Sequence, residues 1–256
     1  INFDLPNITG NFISWLSSQK NGLRALALLQ VEEYWHADRE LRKLYPLTPE
    51  KFHLELMSFS SKYGMPSLAY RLADIQRVKT GKKWYGALYP NLIFKNENNI
   101  KDKALVMSII RQESRFDQRG KSPARAQGLM QILPSTAAFI MKNRDYRGKL
   151  RHDLLIPEKN ILIGAKYIQH LSNEPLINKD IIKLLAAYNG GPGNLNKWLK
   201  NVNFDRDPLL LIETIPSRET RNYIKEVLKN YYVYNNKYLY NELKFEELAS
   251  GNWKIK

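Results

Sequence analysis

A carboxyl group serves as a general acid near neutral pH only where its surroundings hold on to the proton, and the sequence offers such a place around Glu113. Between Lys103 and Glu113, the residues Leu105, Val106, Ile109 and Ile110 recur at helix spacing and form an apolar face. Glu113 follows Ile109 by four residues and Ile110 by three, so it falls in register with that stripe near the end of the helix. Two effects there favour the protonated carboxyl. Apolar neighbours keep water from the charge, and the carbonyl end of a helix carries partial negative charge. The plainer alternative is a solvated glutamate, or one paired with Arg111 or Arg115.

The segments that accompany Glu113 decide between these readings. Glu113-Ser114-Arg115-Phe116 is followed by Ser122-Pro123 and then by Gly128-Leu129-Met130-Gln131-Ile132-Leu133-Pro134. Downstream come Ala187-Tyr188-Asn189-Gly190-Gly191-Pro192-Gly193 and Ile215-Pro216-Ser217-Arg218-Glu219-Thr220-Arg221-Asn222-Tyr223. In this order, over residues 84–240, the segments resemble the soluble lytic transglycosylase family. The resemblance implies an all-α chain, with a lysozyme-like catalytic domain of the goose type over residues 84–256. Residues 1–83 look like the end of the helical superhelix (an α-solenoid) that precedes that domain in large members, which implies that the chain is the C-terminal part of a longer protein.

Carried over residue by residue, the resemblance makes Glu113 the catalytic glutamate. Ser122 and Gln131 would line the saccharide groove, with Met130 and Leu133 in its wall. Tyr188 would turn its hydroxyl to the reacting sugar, with Asn189 beside it, and Glu219 would contact sugar as a second acid. Asn160 would brace the scaffold. Each groove assignment has a structural alternative. Tyr188 could be a core tyrosine, Gln131 a brace for its own turn, and Glu219 an acid favoured by the positive end of a helix capped by Ser217. Two positions depart from the family pattern: Arg125 stands where many members have a second loop glycine, and Ile156 where an Asp is frequent.

The activity so implied is cleavage of peptidoglycan between N-acetylmuramic acid and N-acetylglucosamine. One glutamate acts first as acid and then as base, a 1,6-anhydro ring closes, and neither metal nor cofactor takes part. The expected partner is the glycan strand, met in the periplasm by a monomer. The nearest alternative is a goose-type lysozyme, in which water attacks; the Tyr188 and Glu219 segments favour the transglycosylase. An inactive peptidoglycan-binding module is a further alternative, against which the presence of Glu113 argues.

The elements that must position these residues read as helices almost throughout. Gly22 to Lys43 has apolar residues near helix spacing, Thr48-Pro49-Glu50 reads as a helix start, Gly64 as a stop, and Pro66 as the next start, running to about Val78. These are short helix pairs without a firm repeat period. A polar break at Thr80-Gly81-Lys82-Lys83, an aromatic stretch from Trp84 to Pro90 and the polar run Lys95 to Asn99 put a domain boundary within 80–99. Beyond it, helices are expected near 101–115, 134–143, 157–172, 179–188, 193–201 and 217–237, with a small β-hairpin near 144–155.

Composition narrows the chemistry further. The 256 residues include no cysteine, which excludes disulfides, a thiolate nucleophile and Cys-bound metal. His36, His53, His152 and His170 have no metal-ligand spacing, and no Lys-Ser/Thr follows Gly190 to Gly193 to make a phosphate loop. A net charge of +15 suits polyanions, including the carboxylates of the cell wall. The cations are scattered, the densest small group being Arg147, Lys149 and Arg151, so no specific nucleic-acid module is expected. No run approaches the ~20 apolar residues of a membrane-spanning helix. The chain opens at Ile1 without a visible leader, which neither shows nor excludes export.

Overall fold

Short apolar faces punctuated by proline and glycine make the chain helical along most of its length. The computed structural model describes residues 1–92, 100–201, 207–238 and 254. Two units are formed, Ile1–Phe94 and Lys95–Lys256. Among the described residues no strand is formed, and no helix is long and apolar enough to cross a membrane.

The first unit holds α1 (Gly10–Ser18), α2 (Lys20–Gln30), α3 (Tyr34–Leu44), α4 (His53–Lys62), α5 (Pro66–Thr80) and the short α6 (Tyr85–Leu88). Neighbours in sequence pack together: α1 on α2, α2 on α3, and α4 on α5. Phe12, Leu16, Leu41, Leu56, Phe59 and Leu72 fill the core between them. Gly22 permits the tight approach of α1 and α2, since a Cβ there would lie 2.0 Å from the Leu16 carbonyl oxygen. The helical pattern expected from Gly22 to Lys43 is broken at Glu32, whose φ is 59°. The start expected at Thr48 differs too. Its hydroxyl turns back to donate to the Leu44 carbonyl at 3.2 Å, and a 3-10 turn at Glu50–Phe52 precedes α4. Gly64, at φ 75°, ends α4 and Pro66 opens α5. The helix α6 packs on α4 and α5. Lys95 to Asn99 lie outside the described residues.

The second unit holds α7 (Lys103–Ser114), α8 (Pro134–Ile140), α9 (Pro157–Asn173), α10 (Ile181–Gly190), α11 (Pro192–Asn201), α12 (Pro208–Thr214) and α13 (Arg218–Tyr238). Every residue from Ala104 to Ile110 is buried, so α7 is enclosed on all sides rather than along one stripe. Asp102 caps it, one carboxylate oxygen accepting from the Leu105 N–H at 2.8 Å. The same carboxylate accepts from the Tyr231 hydroxyl of α13, and Arg111 donates to Asn230 Oδ1 at 2.6 Å. Both ends of α7 are thereby tied to adjacent residues of α13, which also buries Ile224 and Val227. Helix α12, not anticipated, follows a legible signal: Asp207 caps it and Pro208 opens it.

The hairpin expected near 144–155 is absent. Two 3-10 turns, Arg144–Arg147 and Arg151–Leu155, occupy that stretch. Asn143 accepts from the Asp145 N–H at 2.9 Å and bends the chain at once, and no apolar alternation is present to pair two strands. Isolated bridges form instead at Lys121–Gln127 and Gln127–Ile132, in the loop between α7 and α8.

That loop is pinned from α9. Asn160 is fully buried; its Oδ1 accepts from the Met130 N–H, and its Nδ2 donates to the carbonyls of Gln127 and Leu154, all at 2.8 Å. Gly128, at φ 76°, has no room for a side chain, because a Cβ would meet the Leu154 oxygen at 2.2 Å. Ile156 stands at the start of α9 with no side-chain bond to the helix, the expected consequence of lacking an Asp there. Replacing Asn160 by Ala orphans three backbone groups, so Asn160→Ala is expected to lower unfolding stability by ~3 kcal/mol, read from urea denaturation. An unchanged midpoint would mean that other contacts hold the loop.

Candidate active site around Glu113

Helix α7 stops one residue after Glu113, and it stops abruptly. Arg115 and Phe116 both adopt left-handed backbone, at φ 50° and 66°, and Phe116 is buried. Consecutive non-glycine residues in this region are strained, and such strain clusters at functional sites. Glu113 itself is half-buried. Its pKa is raised to about 7, first by burial, with the charge of Glu219 adding to the rise and Tyr223 opposing it. Among the described residues no cation pairs with it. Arg111, one candidate partner, donates to Asn230 instead, and Arg115, the other, is exposed.

Three tyrosines gather beside the acid. The ring of Tyr188, on α10, stacks on that of Tyr223, on α13, with centroids 6.5 Å apart and planes 7° from parallel. Tyr167, on α9, leans on Tyr188 at 5.4 Å. The Tyr188 hydroxyl donates to the Met130 carbonyl at 2.9 Å. The Tyr223 hydroxyl is buried without a hydrogen bond of regular geometry, yet it approaches Glu113 closely enough to favour its charged form. Burial, then the negative charge of Glu113, pushes both the Tyr188 and Tyr223 phenols well above their usual range. Neither Tyr223 nor Tyr167 was singled out as a site residue from sequence. For Tyr223 a signal existed: it closes the Ile215 to Tyr223 segment and sits on the buried stripe Thr220, Tyr223, Ile224, Val227.

The remaining sequence-derived candidates divide by what their polar groups do. Met130 is buried, packed so tightly on α9 that a Cβ on Gly164 would meet its sulfur at 2.2 Å. Gln131 adopts φ 47° and donates from Nε2 to the carbonyls of Gly128 and Gly120, at 2.8 and 3.2 Å, so its amide braces the loop. The Ser122 hydroxyl accepts from the Ala126 N–H at 3.0 Å and closes a turn. Asn189 accepts from the Thr220 hydroxyl at 2.7 Å, linking the end of α10 to the start of α13, where Ser217 caps by accepting from the Thr220 N–H at 3.1 Å. Leu133 is exposed at the head of α8. Glu219 is exposed in the first turn of α13 and acts on Glu113 through its charge. The structure thus groups Glu113 with Tyr188, Tyr223 and Glu219, and has Ser122, Gln131 and Asn189 bonded to their own scaffold.

Such an arrangement can offer a proton at neutral pH from one half-buried carboxyl, beside a second carboxyl that is exposed. It also has a measurable linkage. Because the folded Glu113 holds its proton to about pH 7 while an unfolded glutamate loses it near 4.5, the native state loses stability as pH rises between those values. Glu113→Gln removes this dependence, so its thermal midpoint is expected to gain on the parent's from pH 5 to pH 7.5, by an amount worth about 2–3 kcal/mol. A gap that stays constant over that range would place the carboxyl in an ordinary environment. Tyr223→Phe removes the group that favours the charged form, so NMR titration of the Glu113 side chain is expected to move to higher pH.

Comparison with known proteins bears on the same segment. The transglycosylase SLT domain family matches residues 91–209. Soluble lytic murein transglycosylases of Salmonella typhimurium and Escherichia coli are each 34% identical to this chain, over 76% of it and 31% of their own length. The chain therefore spans less than a third of these relatives. The crystal structure of the 70 kDa soluble lytic transglycosylase from Escherichia coli superimposes with a TM-score of 0.72 at 25% identity, covering 93% of this chain and 38% of that one. Residues 91–209 thus match the transglycosylase SLT domain family, and in sequence and fold the chain is similar to soluble lytic murein transglycosylases.

Proposed function

We propose that residues 84–256 form a lytic transglycosylase domain that cleaves peptidoglycan strands between N-acetylmuramic acid and N-acetylglucosamine, and that residues 1–83 end a helical superhelix. The observation that carries this reading is Glu113: a half-buried carboxyl, unpaired with any cation among the described residues, whose pKa lies at about 7. A sugar oxygen leaves readily only when it receives a proton as its bond breaks, and an acid poised near the working pH supplies one. The periplasm, where this polymer lies, is the setting we assign, with the chain acting as a monomer.

In this reading Glu113 gives its proton to the bridging oxygen while the bond from that oxygen to the muramoyl anomeric carbon breaks. The N-acetyl oxygen of the same sugar stabilises the carbon meanwhile. The Glu113 carboxylate then takes the proton from the muramoyl 6-hydroxyl, whose oxygen bonds to the anomeric carbon. The acid is regenerated and no water is consumed. The environment suits both halves of the cycle. Burial and the Glu219 charge keep the proton on Glu113 at the start, and Tyr223 favours the carboxylate once the proton has left. Met130 and Leu133 would wall the groove, with Ser122, Gln131, Tyr188 and Asn189 shaping it for the sugar.

Purified sacculi digested with the chain are expected to release products lighter by one water and lacking new reducing ends, read by mass spectrometry. Glu113→Gln should reduce the rate by ~10²–10⁴ or more. The parent's kcat/KM should fall as pH rises through about 7, because the acid must be protonated. Reducing-end products would assign a hydrolase instead.

A further inference from the structure

The loop joining α7 to α8 carries Arg115, Arg119, Lys121 and Arg125 against one acid, Asp117. Asp117 accepts from the Arg119 N–H at 3.0 Å. Arg115, Lys121 and Arg125 are exposed, and among the described residues none of these three is paired with a carboxylate. Arg125, like Arg115, adopts left-handed backbone. It closes the turn that starts at Ser122, its N–H donating to the Ser122 carbonyl at 2.9 Å, and it does so at φ 67°. Glycine adopts this conformation freely, whereas a residue with a Cβ is strained there. A guanidinium is thus held out from a position where local conformation favours having no side chain.

The proton affinity of Glu113 is set by burial, by Tyr223 and by Glu219, and not by these cations. The loop can therefore be strongly basic without weakening the acid it follows. Its charge is available to whatever lies over the loop. A planar guanidinium matches a carboxylate through two parallel hydrogen bonds.

We infer that Arg125 is a specificity-determining residue that binds a carboxylate on the peptide substituent of the glycan strand, so that the site selects acid-bearing strands over neutral ones. This rests on the transglycosylase reading above. Arg115 and Lys121 add to the local field, and Arg125 makes the contact.

The test compares the full chain with Arg125→Gly on two preparations of sacculi, both stripped of phosphate polymers. One is native; in the other, carbodiimide and ammonia have converted the carboxylates to amides. Glycine relieves the backbone strain, so the variant should melt at or above the parent's temperature, and any loss cannot be assigned to misfolding. On native sacculi the variant is expected to show KM about five- to tenfold higher with kcat unchanged, the range for an exposed charge-assisted contact. On amidated sacculi the two proteins should have equal KM. Equal KM on native sacculi would overturn the proposal. An equal difference on both preparations would also overturn it, since Arg125 would then act through loop shape. If the parent releases no product from either preparation, the transglycosylase reading fails by itself. Co-sedimentation still decides on Arg125: tighter parent binding on native sacculi alone supports it, and equal binding refutes it.

Discussion

A carboxyl at the end of a helix keeps its proton to about pH 7 only if water and cations are both held away from it, and for Glu113 that requirement reaches through the whole second unit. The helix bearing it is enclosed from Ala104 to Ile110, which demands packing partners on every side. Helix α13 supplies one of them and brings Tyr223 and Glu219 with it. Arg111, two residues before Glu113, would favour the charged form of that acid if it turned towards it. Its bond to Asn230 gives it other work, so one contact both fastens α13 to α7 and keeps a guanidinium off the acid.

A second constraint lies in how little space the loop between α7 and α8 is allowed. Gly128 and Gly164 sit where a methyl group would collide with the Leu154 carbonyl and the Met130 sulfur. Asn160 fills the gap between the loop and α9 with an amide whose donors and acceptor are all engaged. Fixing the Met130 backbone in this way also fixes its carbonyl, which is the acceptor for Tyr188. The position of an aromatic ring beside the acid thus depends on a buried amide on a different helix.

Much of this was legible in the sequence because it is local. The apolar spacing before Glu113, the Pro and Asp residues that open helices, and the ordered motif segments all act within a few residues, and they placed α7 to α11 and α13 with the acid among them. The roles of Gln131, Ser122 and Asn189 were less legible. Whether an amide faces a sugar or a backbone carbonyl depends on where the loop folds, and the periodicity of the chain does not encode that. Tyr223 was less legible as well, because a tyrosine on a buried stripe fits a core as readily as a site; only its meeting with Glu113 across two helices distinguishes it. The hairpin expected near 144–155 failed because Asn143 makes a tight local bend where strands need extended backbone.

The ties between α7 and α13 join residues that are 119 and 129 positions apart. Glu113 therefore leaves the ribosome long before the helix that encloses it. Until α13 has been synthesised and docked, the glutamate lacks Tyr223, Glu219 and the shelter from water that this helix gives, so the environment that sets its proton affinity is incomplete. The order of synthesis thereby makes the proton-donating state a property of the finished domain alone.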